Sequence, residues 1–170
     1  MPNRTAITER PEIVATKERL GDWECDTVIG ADRKSVLITL VDRATLFTLS
    51  EKIPRKTARN VSEAMIRMLR PYQDKVHTLT FDNGSEFVEH ERIGKALGAE
   101  TYFAAPYASW ERGINENTNG LLRQFFPKKT DFAQITPKEV SEAVELLNTR
   151  PRKTRGYRTP NELFLEKVAA

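Results

Sequence analysis

The sequence has few of the residues that build disulfide-stapled, zinc-binding or membrane-spanning proteins. Among 170 residues it has one cysteine, Cys25, and two histidines, His77 and His90. A single cysteine cannot form an internal disulfide, so we expect a reducing, cytoplasmic compartment. Neither histidine has a cysteine or a second histidine at ligand spacing, which argues against a zinc site. No apolar run approaches the roughly 20 residues that span a bilayer, and the first 20 residues lack the apolar segment of a signal peptide.

Positive charge is concentrated late in the chain. The whole sequence has 27 basic and 24 acidic side chains, a net charge of only +3. Between Arg123 and Arg158, nine basic residues against four acidic ones give +5, so the rest of the chain carries −2. Such a stretch can contact the phosphates of a nucleic acid, or it can be a solvated tail.

Hydrophobic periodicity predicts one domain over residues 21–170, preceded by a poorly ordered arm over residues 1–20. Three strands with short connections predict an antiparallel meander, and the helix–strand–helix–strand–helix order that follows is typical of parallel crossovers. This order matches an α/β, ribonuclease H-like fold, in which a five-stranded mixed sheet has three antiparallel strands, then two parallel ones, flanked by helices. The predicted strands cover 22–30, 35–41, 45–53, 77–81 and 101–104, and the predicted helices cover 57–69, 88–97, 110–126 and 137–148, with a short helix from Thr159.

Two aspartates lie where a charged side chain needs an explanation. Asp26 is inside the first strand, where a charge is costly unless it is paired or bound to a metal. Asp82 directly follows the fourth strand, at the sheet edge where α/β folds usually bind ligands. Each also has an ordinary explanation, Asp26 as a satisfied structural acid and Asp82 as a turn residue. The neighbouring Cys25 should point away from Asp26 as an inert core thiol.

A third acid, Glu116, lies on the predicted helix 110–126. Asn119, Gly120 and Arg123 share its helix face at three, four and seven residues further on, and this polar face with a small residue suits the close approach of DNA. Glu116 could also be one exposed helix charge among many. Carboxylates that converge from separate elements are the ligands with which proteins hold two magnesium ions for phosphodiester chemistry.

The sequences around these acids resemble those of a known family. Residues 82–87, Asp-Asn-Gly-Ser-Glu-Phe, are similar to the stretch around the second catalytic acid of retroviral-type integrases and insertion-sequence transposases. Residues 106–128 closely resemble the third-acid helix of bacterial transposases of the insertion-sequence-thirty group, and residues 21–26 resemble its first-acid strand. Between Asp82 and Glu116 lie 33 residues (116 − 82 − 1), the spacing typical of this group.

The resemblance implies the catalytic core of a DDE transposase/integrase, a metal-dependent polynucleotidyl transferase. Asp26, Asp82 and Glu116 would be both its catalytic residues and the ligands of two Mg²⁺ or Mn²⁺ ions. The implied reactions are hydrolysis at transposon ends and attack of the freed 3′ hydroxyl on target DNA. The expected partners are double-stranded DNA and further copies of the chain, in a homodimer or higher oligomer, and the expected location is the bacterial cytoplasm, at the nucleoid.

Several further residues are expected to contact DNA or to support the site. Trp110 could contact DNA, or it could anchor its helix in the core. Asn83 and the nearby Glu86 could support the metal site, or they could be ordinary turn and helix-start residues. Glu24 shares a strand face with Asp26 and could be an alternative ligand, or it could be exposed to solvent or held in an ion pair. The expected DNA contacts are Asn83, Trp110, Arg112, Asn119, Arg123, Lys128 and Lys129.

Three alternatives use parts of the same pattern. A ribonuclease H-type nuclease would use the same carboxylates and metals, but it would not join a 3′ end to a second duplex. A non-catalytic DNA-binding remnant would fit residues 1–20, which are too short for the helix-turn-helix region of such transposases; the chain would then be an excised core or a truncated gene product. A glycosidase also pairs carboxylates, but the basic stretch and the scarcity of aromatic residues disfavour it.

Overall fold

Five strands form one mixed sheet in a computed structural model that describes the backbone of residues 1–170 and every side chain except that of Ser109. The strand order is β3-β2-β1-β4-β5. β1 pairs antiparallel with β2, and β2 with β3, whereas β1 with β4 and β4 with β5 are parallel pairs. Three antiparallel strands followed by two parallel ones are therefore present, as the sequence predicts. The bounds are β1 Asp22–Ile29, β2 Val36–Asp42, β3 Thr48–Ile53, β4 Thr78–Phe81 and β5 Glu100–Phe103.

Six helices flank the sheet, and two of them begin at strong sequence signals. Thr136 and Thr159 each form a capping box with the glutamate three residues later, and a proline fills the first helical position in both. None of the helices in the described chain is long and apolar enough to cross a membrane. The bounds are α1 Glu12–Thr16, α2 Ala58–Leu69, α3 His90–Leu97, α4 Gly113–Phe125, α5 Pro137–Asn148 and α6 Pro160–Ala169.

The two faces of the sheet bury separate hydrophobic clusters. Because side chains alternate along a strand, Trp23 and Cys25 of β1 enter one layer while Glu24 and Asp26 face the other. The first cluster lies under α2, α3 and α6, and the second lies under α4 and α5. β2 is buried along its whole length, as its continuous apolar run predicts. Cys25 is fully buried in the first cluster, which confirms the expected core thiol.

β3 and α4 both begin three residues later than their predicted starts at Thr45 and Trp110. Asp42 accepts hydrogen bonds from the backbone N–H and the hydroxyl of Thr45, so the chain turns tightly there before β3 forms. Before α4, residues 109–112 form a 3₁₀ turn that ends at Arg112, whose φ of −131° and ψ of 39° are not helical. These local turns displace the starts without changing the topology.

The first 16 residues differ from the expected poorly ordered arm, because they pack along the edge of the sheet. Ala6 forms a parallel bridge with Phe103 of the edge strand β5. Arg10 donates to the Thr80 hydroxyl at 3.0 Å, and Val14 is fully buried. An edge strand presents unpaired backbone groups, and this segment pairs with one of them, because the Phe103 N–H donates to the Thr5 carbonyl at 2.9 Å.

Candidate active site

The register of two parallel strands brings Asp26 and Asp82 to one level of the sheet. Asp22 of β1 pairs with Thr78 of β4. Asp26 lies four residues after Asp22 and is still inside β1, and Asp82 lies four residues after Thr78, immediately beyond β4. The structure therefore juxtaposes these two acids at the carboxyl end of β4, although 55 residues separate them in sequence (82 − 26 − 1).

The two aspartates share one cationic partner, Arg112. Its Nη2 atom lies 3.2 Å from Oδ2 of Asp26 and 3.9 Å from Oδ2 of Asp82. Its Nη1 atom donates to the Cys25 carbonyl at 3.1 Å, which fixes the guanidinium against β1. The exposed fraction is 12% for the Arg112 side chain, 15% for Asp26 and 39% for Asp82. One positive charge thus faces both carboxylates in a partly desolvated place.

The other carboxylate oxygen of each aspartate is already occupied. Oδ1 of Asp26 accepts the Thr27 N–H at 2.8 Å, and Oδ1 of Asp82 accepts the Gly84 N–H at 2.8 Å. These backbone bonds orient the carboxylates so that their Oδ2 atoms are the pair directed at Arg112. Hard oxygen donors of this kind suit Mg²⁺ or Mn²⁺.

Burial raises the pKa of the Asp26 carboxyl above its ordinary value. The positive charge of Arg112 acts in the opposite direction, while the negative charge of Asp82 raises the pKa further. Hydrogen bonds from Thr27 and Asn119 lower it again, and burial outweighs them. A cation close to Asp26 therefore favours its ionised form.

Helix α4 is attached to Asp26 through Asn119. The Asn119 Nδ2 donates to Oδ2 of Asp26 at 2.9 Å, and its Oδ1 accepts from the Thr39 hydroxyl at 3.1 Å. Thr39 is the cross-strand partner of Asp26 on β2. Asn119 is expected from the sequence as a DNA contact, but in the structure its amide is engaged in bonds within the chain.

Glu116 lies on α4 one turn before Asn119, and its side chain is exposed. Residues three apart on a helix are surface neighbours, so Glu116 is next to the residue that binds Asp26. Within the described residues, however, no group of three His, Cys, Asp or Glu side chains is arranged to hold a metal ion. The structure brings two of the three acids together, and the third lies about one helical turn from Asn119, which binds Asp26.

The remaining expected DNA contacts divide into exposed and engaged side chains. Trp110 is 77% exposed, so it does not anchor α4 in the core. Lys128 and Lys129 are also exposed. Arg123 donates to the Ile29 carbonyl at 2.8 Å and lies over the Phe132 ring. Asn83 donates to the Ala104 carbonyl at 2.8 Å and accepts from Arg4, so its amide holds the loop after β5.

Some residues near the acids carry weak sequence signals or none. Thr39 interrupts the apolar run of β2, and that one polar position is a signal that could have been read. Glu86 accepts from the Thr27 hydroxyl at 2.9 Å, a tertiary contact with no sequence pattern. Tyr107 is 99% exposed and, with Arg112, lines a cleft of about 420 Å³ beside Asp82.

Comparison with known proteins identifies the family. A family model described as "Integrase core domain" matches residues 17–109, more than half of the chain. The transposase for insertion sequence element IS4351 of Bacteroides fragilis is 49% identical over 168 residues, covering 99% of this chain and 52% of the relative. Transposase InsI for insertion sequence element IS30A of Escherichia coli is 39% identical, covering 98% and 44%. The chain thus spans about half the length of the curated relatives it matches.

Solved structures agree on the fold. The catalytic core domain of BIV integrase superposes with a TM-score of 0.66 at 23% identity, covering 88% of this chain and 96% of that one. A simian T-cell lymphotropic virus intasome gives a TM-score of 0.73 at 18% identity, covering 86% and 55%. These likenesses confirm the predicted ribonuclease H-like fold. Together with the matched residues 17–109 and the transposase relatives, they show that the chain belongs to the integrase core domain family.

Proposed function

We propose that this chain is the catalytic core of a DNA transposase. It would cut DNA at transposon ends and join the freed 3′ hydroxyl to target DNA, with two Mg²⁺ or Mn²⁺ ions held by Asp26, Asp82 and Glu116. The observation that carries the proposal is the convergence of two carboxylate oxygens, from adjacent parallel strands, on a single positive charge. Because both carboxylates contact the positive charge of Arg112, they are close enough to share a divalent metal ion as well.

The donor set fits the proposed ions. Asp26, Asp82 and Glu116 offer only oxygen ligands, and the neighbouring Cys25 thiol is buried on the opposite face of β1. When bound, divalent metal ions supply activation of the attacking oxygen and neutralisation of the scissile phosphate. The protein supplies orientation, because the N–H groups of Thr27 and Gly84 fix the two aspartates.

Arg112 and Asn119 have distinct roles in this proposal. Asn119 ties α4 to Asp26, and Glu116 lies about one helical turn before Asn119 on the same helix. Arg112 balances the two negative charges, and divalent cations held by the acids would repel its guanidinium, because like charges repel. Once released, its guanidinium is available to a DNA phosphate, for which its planar donor fork is well suited.

Exposed side chains around the cleft would hold the DNA. Tyr107 and Trp110 lie on the loop between β5 and α4 and offer flat surfaces to bases, while Lys128 and Lys129 offer positive charge to the backbone. We propose double-stranded DNA as the partner, both as transposon ends and as target. Because one structural neighbour is a viral intasome, we further propose that the chain acts as a homodimer or higher oligomer.

The test compares Asp82→Asn with Asp74→Asn, the same chemical change at an exposed residue far from the carboxyl end of β4. A labelled duplex and a plasmid target report cleavage and joining, with and without Mn²⁺. Asp82→Asn should lower both activities by about 10³-fold or more, because it removes a carboxylate that would hold the divalent metal ions, and Asp74→Asn should not. Cleavage without joining would instead indicate a nuclease, and binding without either reaction would indicate a non-catalytic remnant.

A further inference from the structure

Glu24, two residues before Asp26 on β1, is a buried acid with both carboxylate oxygens engaged. Its Oε1 pairs with the Arg43 guanidinium, and its Oε2 accepts the backbone N–H of Asn115 at 3.0 Å. Glu24 is 1% exposed and Arg43 is 6% exposed. Of the three explanations open from the sequence, the ion pair is the one that the structure supports, because Glu24 is not exposed and a ligand role would require breaking both contacts.

The bond from Asn115 matters because α4 has no cap of its own. The first N–H groups of a helix have no partner within the helix, and side chains at the N-cap usually satisfy one of them. The N-cap residue here is Arg112, whose side chain makes no capping bond and instead binds Asp26. Glu24 supplies the missing acceptor from the sheet, and its negative charge also suits the positive end of the helix dipole.

Glu24 and Asp26 together attach α4 to β1 at two matched points. Glu24 accepts from Asn115, and Asp26 accepts from Asn119. Four helical residues rise about 6 Å, and two strand residues span about 6.6 Å, so both bonds form with the helix lying along the strand. Glu116 lies between these two attachment points.

The first attachment point is linked in turn to the N-terminal segment. The Arg43 Nε donates to the carbonyl of Val14 at 3.1 Å, and Val14 is fully buried. A continuous series of buried contacts therefore runs from Val14 through Arg43 and Glu24 to the first turn of α4.

We propose that Glu24 is a positioning residue that caps α4 from β1 and thereby holds Glu116 at the level of Asp26. Its role in catalysis rests on the proposed function, whereas its role as a cap does not. Arg43 pairs with the Glu24 carboxylate and orients it, and the N-terminal segment contributes through Val14. Glu24 does not touch metal or DNA in this scheme.

Amide hydrogen exchange on the whole chain tests the cap directly. In Glu24→Ala, the Asn115 amide in the first turn of α4 should exchange about tenfold or more faster, because it loses its acceptor, while the amides of β2 keep their protection. Glu51→Ala is the matched control, since Glu51 is also a strand glutamate paired with an arginine, Arg67, but on β3. A uniform rise in exchange, or no change at α4, would overturn the proposal.

A second variant keeps the test decisive if Glu24→Ala does not fold. The double variant Glu24→Gln with Arg43→Gln retains an acceptor for the Asn115 N–H without leaving a buried charge unpaired. It should keep α4 protected to within about threefold of the original chain. Loss of protection in this variant, with β2 unchanged, would show that the neutral acceptor does not cap α4 and would overturn the proposal.

Cleavage assays then connect the cap to the reaction. Glu24→Ala should lower kcat about tenfold or more with little change in DNA affinity, and the double variant should restore it, because position alone is altered. If the original chain does not cleave DNA, the proposed function fails while the exchange data still decide the cap. Normal kcat in Glu24→Ala, with α4 deprotected, would remove Glu24 from the positioning of Glu116.

Discussion

Two acids of the candidate site, Asp26 and Asp82, are distant in sequence and converge in space. The basic residues between Arg123 and Arg158 are clustered in sequence, but their side chains make separate contacts. Asp26 and Asp82 meet at one cation. In the basic stretch, by contrast, Arg155 donates to the carbonyls of Arg43 and Ala44, and Arg152 donates to that of Leu147. Much of the local positive charge therefore holds the fold together.

The difference between the acids and the basic stretch shows which sequence patterns indicate a functional site. A charge run shows only that basic residues are frequent, and a folded chain can use each of them for a backbone carbonyl. Acids placed at the corresponding level of two parallel strands are constrained by the register of the sheet. Within the basic stretch, Lys128, Lys129, Arg150 and Lys153 are exposed and make no side-chain hydrogen bond or ion pair with the described residues. Of these four, we expect Lys128 and Lys129, which follow α4, to contact DNA.

The largest expected effect is that of Glu116→Gln. This substitution tests whether the third acid acts together with Asp26 and Asp82. Cleavage should fall by about 10³-fold, since a neutral amide cannot replace a carboxylate that holds a cation, and DNA affinity should change little. Glu142→Gln is the control, as Glu142 is also an exposed helical glutamate. Measured single-turnover rates that are equal in both variants would exclude Glu116 from the site.

Arg155→Met should mainly destabilise the fold. It removes three hydrogen bonds to carbonyls, of which those to Ala44 and Arg43, at 2.8 and 2.9 Å, join distant parts of the chain, and it should lower the free energy of unfolding by about 1–3 kcal/mol. Lys153→Met, at an exposed residue of the same turn, should have almost no effect on stability. Thermal unfolding distinguishes the two, and a stable Arg155→Met with weakened DNA binding would reverse the interpretation of the basic stretch.

Arg112→Gln compares the positive charge that contacts Asp26 and Asp82 with a positive charge elsewhere on the surface. Removing the guanidinium should tighten Mn²⁺ binding roughly tenfold, because the guanidinium competes with the metal for Asp26 and Asp82. Arg150→Gln removes an exposed positive charge as a control. Titration followed by electron paramagnetic resonance measures the affinity, and weaker Mn²⁺ binding without Arg112 would contradict the competition.

The smallest expected effect is that of Lys128→Gln combined with Lys129→Gln. DNA affinity should fall several-fold, and the slope of log K against log salt should become shallower by about 0.9 for each lost phosphate contact. Lys95→Gln is the control, because Lys95 is an exposed residue of α3 on the opposite layer. An unchanged salt slope would show that these lysines do not meet the DNA backbone.

The sheet and most helices could be predicted because their signals are local. The apolar run of β2, the proline after Thr136 and Gly98 after α3 each mark an element or its end. The start of β3 was missed because the side chain of Asp42 forms a turn with Thr45 that periodicity does not reveal. The packed N-terminal segment was missed because its order comes from contacts with β4 and β5, which are remote in sequence.

The acids of the site could be singled out from the sequence, but their mutual arrangement could not. Register alone places Asp26 beside Asp82, and register follows only once β1 and β4 are known to be parallel neighbours. The position of Arg112 between the acids and the capping role of Glu24 depend on how α4 lies against β1. Both are tertiary contacts between residues about 90 apart, and no local pattern records them.

Crystals soaked in Mn²⁺ with bound DNA, examined by anomalous scattering, test the shared metal site most directly. We expect manganese between the Oδ2 atoms of Asp26 and Asp82, with Arg112 displaced toward the DNA and Glu116 turned in as a ligand. Manganese bound elsewhere, with Arg112 still paired to both aspartates and Glu116 directed to solvent, would contradict the account.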